Sequence, residues 1–279
     1  MGTNPTPSRP PPATKHRTIK SVAHRFAAGC GRSVADLLLI GVRYDDDNPD
    51  DGDTLILRQR PGRLETVAII SGPARAIACG GDDVVVLDHL GVLRTVTGEN
   101  VLEGVLDLFE SCAPTRELLA LLNNGDVLNV STHARRCTVA TGRSLRGGVV
   151  VAADSVFALD GSKLFAGVVD VACAAGDRFA WACGRNLVVD GRPFTLRHPA
   201  QALCFAFGRC YVGSKINGLC VVDDEGLSCL RPSLRAHSLC MVNDGLLVVS
   251  DLMVATLNDG GDFVTRDLTT FIRLAARHE

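Results

Sequence analysis

What most constrains this chain is a pattern that returns along it at intervals of 31 to 36 residues. The stretch "RAIACGGDDVVVLDHLGVL" (Arg75–Leu93) has a counterpart in "VVDVACAAGDRFAWACGRNLVVDG" (Val168–Gly191). Both pass from apolar residues through Ala-Cys and two or three small residues to an Asp, then to a strand, a turn and a second strand. Looser copies are "VLDLFESCAPTRELLALLNNGDVLNV", "AQALCFAFGRCYVGSKINGLCVVDDEG" and "RAHSLCMVNDGLLVVSDLMVATLNDGG". Cys79, Cys112, Cys173, Cys204 and Cys240 mark the equivalent place, separated by 33, 61, 31 and 36 residues. The interval of 61 spans two periods and contains a degenerate copy, "RSLRGGVVVAADSVFALDG". One more unit, "RTIKSVAHRFAAGCGRSVADLLLIGV", stands upstream, which makes about seven.

Within each unit, Val-rich apolar runs of four to seven residues alternate with Gly, Asp and Asn, the signature of short strands joined by turns. "RELLALL" fits a helix, but it also fits a strand entering an Asn-Asn-Gly turn. The closing "TTFIRLAARHE" reads as a short helix or a last strand. A unit of three or four short strands cannot bury both its faces alone. Radial closure packs each unit on two neighbours and leaves no long edge. The expected fold is therefore all-β: a single β-propeller of about seven short-stranded blades. Residues 1–17, with five prolines, read as a disordered tail, and 18–279 as the propeller. An acidic loop is inserted at 44–53.

The bulk properties narrow the function. Hydrophobic residues make up 46% of the chain, enough for a large core, and the formal charge is −2, from 29 basic and 31 acidic residues. No general attraction to nucleic acid or anionic lipid follows from that balance. No apolar run approaches the 18 or so residues of a membrane span, and no secretory signal is legible in "MGTNPTPSRPPPATKHR". Eleven cysteines with no CxxC pair read as buried thiols in a reducing compartment, cytosol or nucleus.

"ARAIACGGDDVVVLDHLGVL" and "VVDVACAAGDRFAWACGRNLVV" resemble the repeat of the regulator of chromosome condensation family in their Ala-Cys-Gly portion. The resemblance touches about half the chain. It departs from the family where Asp82 or Asp83, and Asp177, stand in place of a His, and where the following Trp-Gly is absent. It implies a propeller that serves as a guanine nucleotide exchange factor, a chromatin binder or a scaffold, with a small GTPase or chromatin as partner. WD-repeat and kelch signatures are unwritten, since the chain has one Trp (Trp181), two Tyr and no Trp-Asp pair.

Candidate chemistry is sparse. The acidic segment contributes Asp45, Asp46, Asp47, Asp50, Asp51 and Asp53, oxygen donors for a hard cation or for a basic partner. Calcium-loop spacing fails because Pro49 occupies a ligand position, so an extended, solvated hairpin loop between "LLLIGVR" and "DTLILRQ" is the better reading, ahead of docking to a basic partner. Cys220, Cys229, His237 and Cys240 are zinc-ligand types without knuckle spacing. Asp82, Asp154, Asp177 and Glu225 are candidates for a metal in a central channel. Neither a nucleophile elbow nor a phosphate-binding glycine motif occurs. Gly2 with Thr6 fits a myristoylation pattern, and "PSRPPPATK" a polyproline ligand. Arg135, Arg136, Arg143, Arg146, Arg192 and Arg197 fall mainly in turns, where a propeller presents binding faces. The expectation is a non-catalytic scaffold or adaptor with protein partners, using no metal and no cofactor.

Overall fold

The computed structural model describes residues 23–33, 35–45, 48–60, 63–80, 83–111, 116–251 and 253–267. These form seven four-stranded antiparallel sheets, each built from four consecutive strands paired in chain order. The blades span residues 23–71, 74–102, 105–138, 142–166, 171–195, 202–231 and 236–267. Their first strands are Ala23–Ser33, Ala74–Gly80, Val105–Glu110, Gly142–Arg146, Val171–Ala175, Ala202–Ala206 and Ala236–Val242. Each packs on the first strand of the next blade, and that of blade 7 packs on that of blade 1. The ring is a closed seven-bladed β-propeller with these strands around its axis.

Seven apolar clusters fill the seven boundaries between neighbouring blades. Alternation along a strand explains why wholly apolar runs are needed, because both faces of every blade are covered. In blade 6, Cys210 and Val212 pack toward blade 5, while Tyr211 packs toward blade 7. In blade 7, Leu246 and Val248 face blade 6, whereas Leu247 and Val249 face blade 1. Among the described residues no strand is exchanged across the last boundary, so apolar packing closes the ring.

The ambiguous "RELLALL" resolves as a strand, Leu118–Leu122, that turns through Asn123–Gly125 into Asp126–Asn129. Leu119 and Leu121 face blade 4, while Leu118 and Ala120 face blade 2. That use of both faces favours a strand over the helical alternative. Residues 1–17 and "TTFIRLAARHE" lie outside the described residues, and with them Gly2, Thr6 and "PSRPPPATK".

An antiparallel four-stranded blade returns the chain to the side on which it started. All links between blades, and all turns joining second to third strands, therefore share one face, called upper here. Turns joining first to second and third to fourth strands share the lower face. Polar side chains knit the links on the upper side. Thr54 Oγ1 donates to the carbonyl of Gly72 at 2.7 Å and accepts from the N–H of Ala74 at 2.8 Å, which fixes the passage from blade 1 to blade 2.

Candidate functional site

The arginines split between the faces. Arg135, Arg136, Arg146 and Arg192 lie toward the lower side, next to the turns that open or close their strands. Arg143, at the start of a first strand, and Arg197, in the link after residue 195, lie on the upper side. Several of them are already engaged. Arg136 pairs with Glu117, Arg135 lies 3.8 Å from Asp126, and Arg143 donates to the carbonyls of Ala152 and Ala153. Arg146 reaches the buried Asp107 at 3.3 Å.

Arg192 stands in a groove of about 580 Å³ on the lower face between blades 5 and 6. Arg178, Arg192 and Arg209 line it opposite Asp190, Asp223, Asp224 and Glu225, with Phe194 and Phe207 as apolar surface. The Arg178 guanidinium lies 4.5 Å over the Phe205 ring and donates to Asp190 Oδ2 at 2.8 Å and to the carbonyl of Gly208. Arg192 sits 5.5 Å over Phe194. Such stacked guanidinium groups keep donors pointing outward while shielding apolar surface. Tight two-residue turns build the groove. Asp190-Gly191 and Phe207-Gly208 hold φ values of 50°, 78°, 49° and 70°, the left-handed pair of a type I′ hairpin turn. Gly and Asp accept that region, but a bulky aromatic at φ 49° is a strained choice. Sequence reading did not single out Arg178, Arg209 or Phe207. Their shared signal was local: an arginine directly after a hairpin turn, in "GDRF" and "FGRC".

The acidic segment turns the second strand of blade 1 into its third. Asp45 ends the second strand and pairs with Asn48, while Asp50, Asp51 and Asp53 lie on the third, with Asp53 opposite Arg43. Within the segment expected as a loop, Asp45–Asn48 and Arg43–Asp53 are the paired positions of this hairpin. Asp46 and Asp47 lie outside the described residues. This hairpin belongs to the upper face, which also presents Leu90, Val168 and Ile216, at 71%, 60% and 64% the most exposed large apolar side chains among the described residues.

A channel of about 590 Å³ runs along the axis, lined by the first strands. Asp154, Asp177 and Glu225, considered for it from sequence, stand in turns between strands and do not line it, and Asp82 lies outside the described residues. Among the described residues, the acids that do line the channel are Asp107 and Glu110. Asp107 is nine-tenths hidden, and burial raises its carboxyl above the usual value. Arg146 and the N–H groups of Leu145 and Leu108 offset part of that rise. The zinc-type set Cys220, Cys229, His237 and Cys240 does not converge. Cys220 and Cys229 face each other on the outer strands of blade 6, and His237 lies 3.6 Å from Asp251. Among the described residues one trio brings ligand atoms within 4.8 Å of one another: Cys30, Cys79 and Glu110, at the channel wall.

Fold and site together define a seven-bladed β-propeller with a charged groove on one face and an acidic hairpin on the other. Among solved structures it is similar to Kluyveromyces lactis Hsv2, with a TM-score of 0.51 and 12% identity over 88% of this chain and 98% of that one. It is also similar to the WD40 β-propeller domain of Doa1, with a TM-score of 0.56 and 8% identity over 83% of this chain and 92% of that one. Saccharomyces cerevisiae Sqt1 gives 0.54 and 12% over 87% and 85%. At such identities the likeness extends to the fold alone. No family model matches the chain, and no curated protein matches it.

Proposed function

We propose that this protein is a non-catalytic interaction propeller, a scaffold or adaptor subunit that docks a protein partner in the groove between blades 5 and 6. The observation that carries this reading is the groove itself. Three arginines, two of them stacked on phenylalanine rings, converge with Phe194 and Phe207 on a rigid rim. Arginine and aromatic side chains are the residue types that anchor protein interfaces. A bulky residue held in a strained turn at that rim is a feature expected of a binding position. The carboxylates opposite give the groove both signs, so the partner segment that fits it carries basic and acidic side chains around an apolar one. Propeller neighbours of the WD40 type support the scaffold reading at the level of fold. The described cysteines are free thiols, which suits the cytosol or nucleus.

The test compares two variants of the full chain in quantitative affinity purification. One combines R192E, R209E and F207G, and the other replaces Asp45, Asp46, Asp47, Asp50, Asp51 and Asp53 with Asn. The expected result is a stoichiometric partner that the groove variant loses, the acidic-hairpin variant keeps, and purified components rebuild. A partner set identical across wild type and the groove variant sinks the proposal. The guanine nucleotide exchange and chromatin roles implied by the chromosome-condensation resemblance rest on the Ala-Cys-Gly portion alone. A recovered partner that is a small GTPase with accelerated nucleotide release, or a nucleosome, would replace the scaffold reading with one of those.

A further inference from the structure

Among the described residues, the repeat cysteines, with Cys30 from the first unit, face the same way round the ring, with one exception. Cys30 packs toward blade 2, Cys173 toward blade 6, Cys204 toward blade 7 and Cys240 toward blade 1, each toward the blade that follows. Cys79 packs backward, into the boundary with blade 1. Its hairpin register gives the reason. Cys173 pairs with Ala180, Cys204 with Tyr211 and Cys240 with Leu247, whereas Cys79 pairs with Val84. In blade 2 the residue equivalent to those cysteines is Ala78, opposite Val85, and it faces forward into blade 3. Cys79 stands one residue later, and a shift of one residue turns a side chain to the opposite face.

The consequence is a meeting of two thiols across a blade boundary. Cys30 Sγ and Cys79 Sγ are 3.2 Å apart and both are buried. From the end of the first strand of blade 3, Glu110 adds a carboxylate whose Oε2 accepts the Cys79 N–H at 3.0 Å. Cys30 and Glu110 also line the channel. Cys240, another thiol lining the channel, is directed at the carbonyl of Met241 at 3.4 Å.

We propose that Cys30, Cys79 and Glu110 are the protein ligands of a divalent thiophilic metal ion, zinc by preference, whose fourth position is filled from the channel. Two sulfurs and one carboxylate oxygen form a donor set that zinc accepts, and three protein ligands with one open position is a familiar zinc arrangement. Distances separate this reading from a disulfide. Sulfurs bound to a tetrahedral zinc at about 2.3 Å stand roughly 3.8 Å apart, so the observed pair must open by roughly 0.6 Å. A disulfide at about 2.05 Å requires closing by more than about 1 Å. On binding, each thiol releases its proton to solvent, and a divalent ion with two thiolates and one carboxylate leaves a site of net charge −1. The guanidinium on the outer side, Arg58, is already held by Asp36 at 2.7 Å. Metal-free, the neighbouring thiol and burial both push the Cys30 thiol well up. Such an ion clasps the inner strands of blades 1, 2 and 3, and it lies apart from the groove that carries the proposed docking function.

Cobalt(II), zinc's spectroscopic stand-in, tests the site in the full chain, purified with reductant under anaerobic conditions and stripped with chelator. The expected result is one equivalent of tightly bound cobalt, with thiolate-to-cobalt charge-transfer absorption and tetrahedral d–d bands that zinc abolishes. C30S and C79S each lower the charge-transfer intensity, and E110Q weakens binding by at least about tenfold. C220S/C229S, which removes the facing thiol pair of the outer strands of blade 6, leaves the spectrum unchanged. Far-ultraviolet circular dichroism checks that each variant is folded. E110Q alone decides the matter if a serine variant does not fold. Absence of the tetrahedral thiolate spectrum, its survival unchanged in folded C30S and C79S or in folded E110Q, or a Cys30–Cys79 disulfide in the reductant-treated protein would each overturn the assignment.

Discussion

Asp107 shows what a single residue does when the fold leaves it almost no water. Its carboxylate accepts the N–H of Leu145 from the next blade at 3.0 Å and the Arg146 Nε–H at 3.3 Å. D107A leaves that backbone N–H without its partner and should cost about 1–3 kcal/mol at neutral pH, measured by urea denaturation. The pH dependence has a definite sign. Burial raises the folded carboxyl above its usual 3.8, so the folded state holds the proton more tightly than the unfolded chain. The stability that this group contributes is therefore greatest below the usual value and falls as pH rises through the folded one. The penalty of D107A should accordingly shrink between acid and neutral pH. A penalty that grows over that range would contradict the assignment. Sequence gave no hint of this role, because an Asp in "VLDLF" sits where alternation alone assigns core or solvent.

At the scale of elements, hairpin turns decide how closely blades approach. The lower turn of blade 4 is Gly147-Gly148, and the Gly147 carbonyl accepts the Ala174 N–H of blade 5 at 2.6 Å. A Cβ on Gly147 would lie 2.4 Å from the Cβ of Cys173, at a φ of +54°. G147A should therefore cost about 2–4 kcal/mol, through forced separation of two blades together with left-handed strain. Equilibrium unfolding measures it, and a loss below about 0.5 kcal/mol would show that the approach is not tight. Element existence was legible from "VVV", "LLVV" and "GVVVAADSVFALDG", since Val-rich runs between turn residues have few other solutions. Register was not. Aligning Cys79 with Cys173 by the motif places them one residue apart in their hairpins, and only strand pairing exposes the offset.

For the whole molecule, the ring is closed by apolar packing. Leu37, Leu39 and Leu57 of blade 1 pack on Val242, Leu247, Val249 and Val254 of blade 7, and among the described residues no strand crosses between them. L247A removes a fully buried side chain from that boundary and should cost about 2–5 kcal/mol. Hydrogen exchange should rise in blades 1 and 7 before it rises in blades 3 to 5. Uniform acceleration round the ring would show instead that the propeller opens as one unit.

The sequence by itself determined the architecture: an all-β chain of about seven similar units that cannot bury their faces singly and so close into a ring. That was legible because hydrophobic periodicity and turn chemistry are local, and because a repeat states the same constraint several times. Tertiary structure alone decided which side chains meet. Arg178, Arg192 and Arg209 converge because neighbouring blades bring separate hairpin turns together across one boundary. Cys30, Cys79 and Glu110, from positions 30, 79 and 110, converge because the cysteine of one blade stands a residue out of step with those of the others. A motif fixes which residues are equivalent along the chain, whereas the parity of a hairpin fixes the face each one looks from.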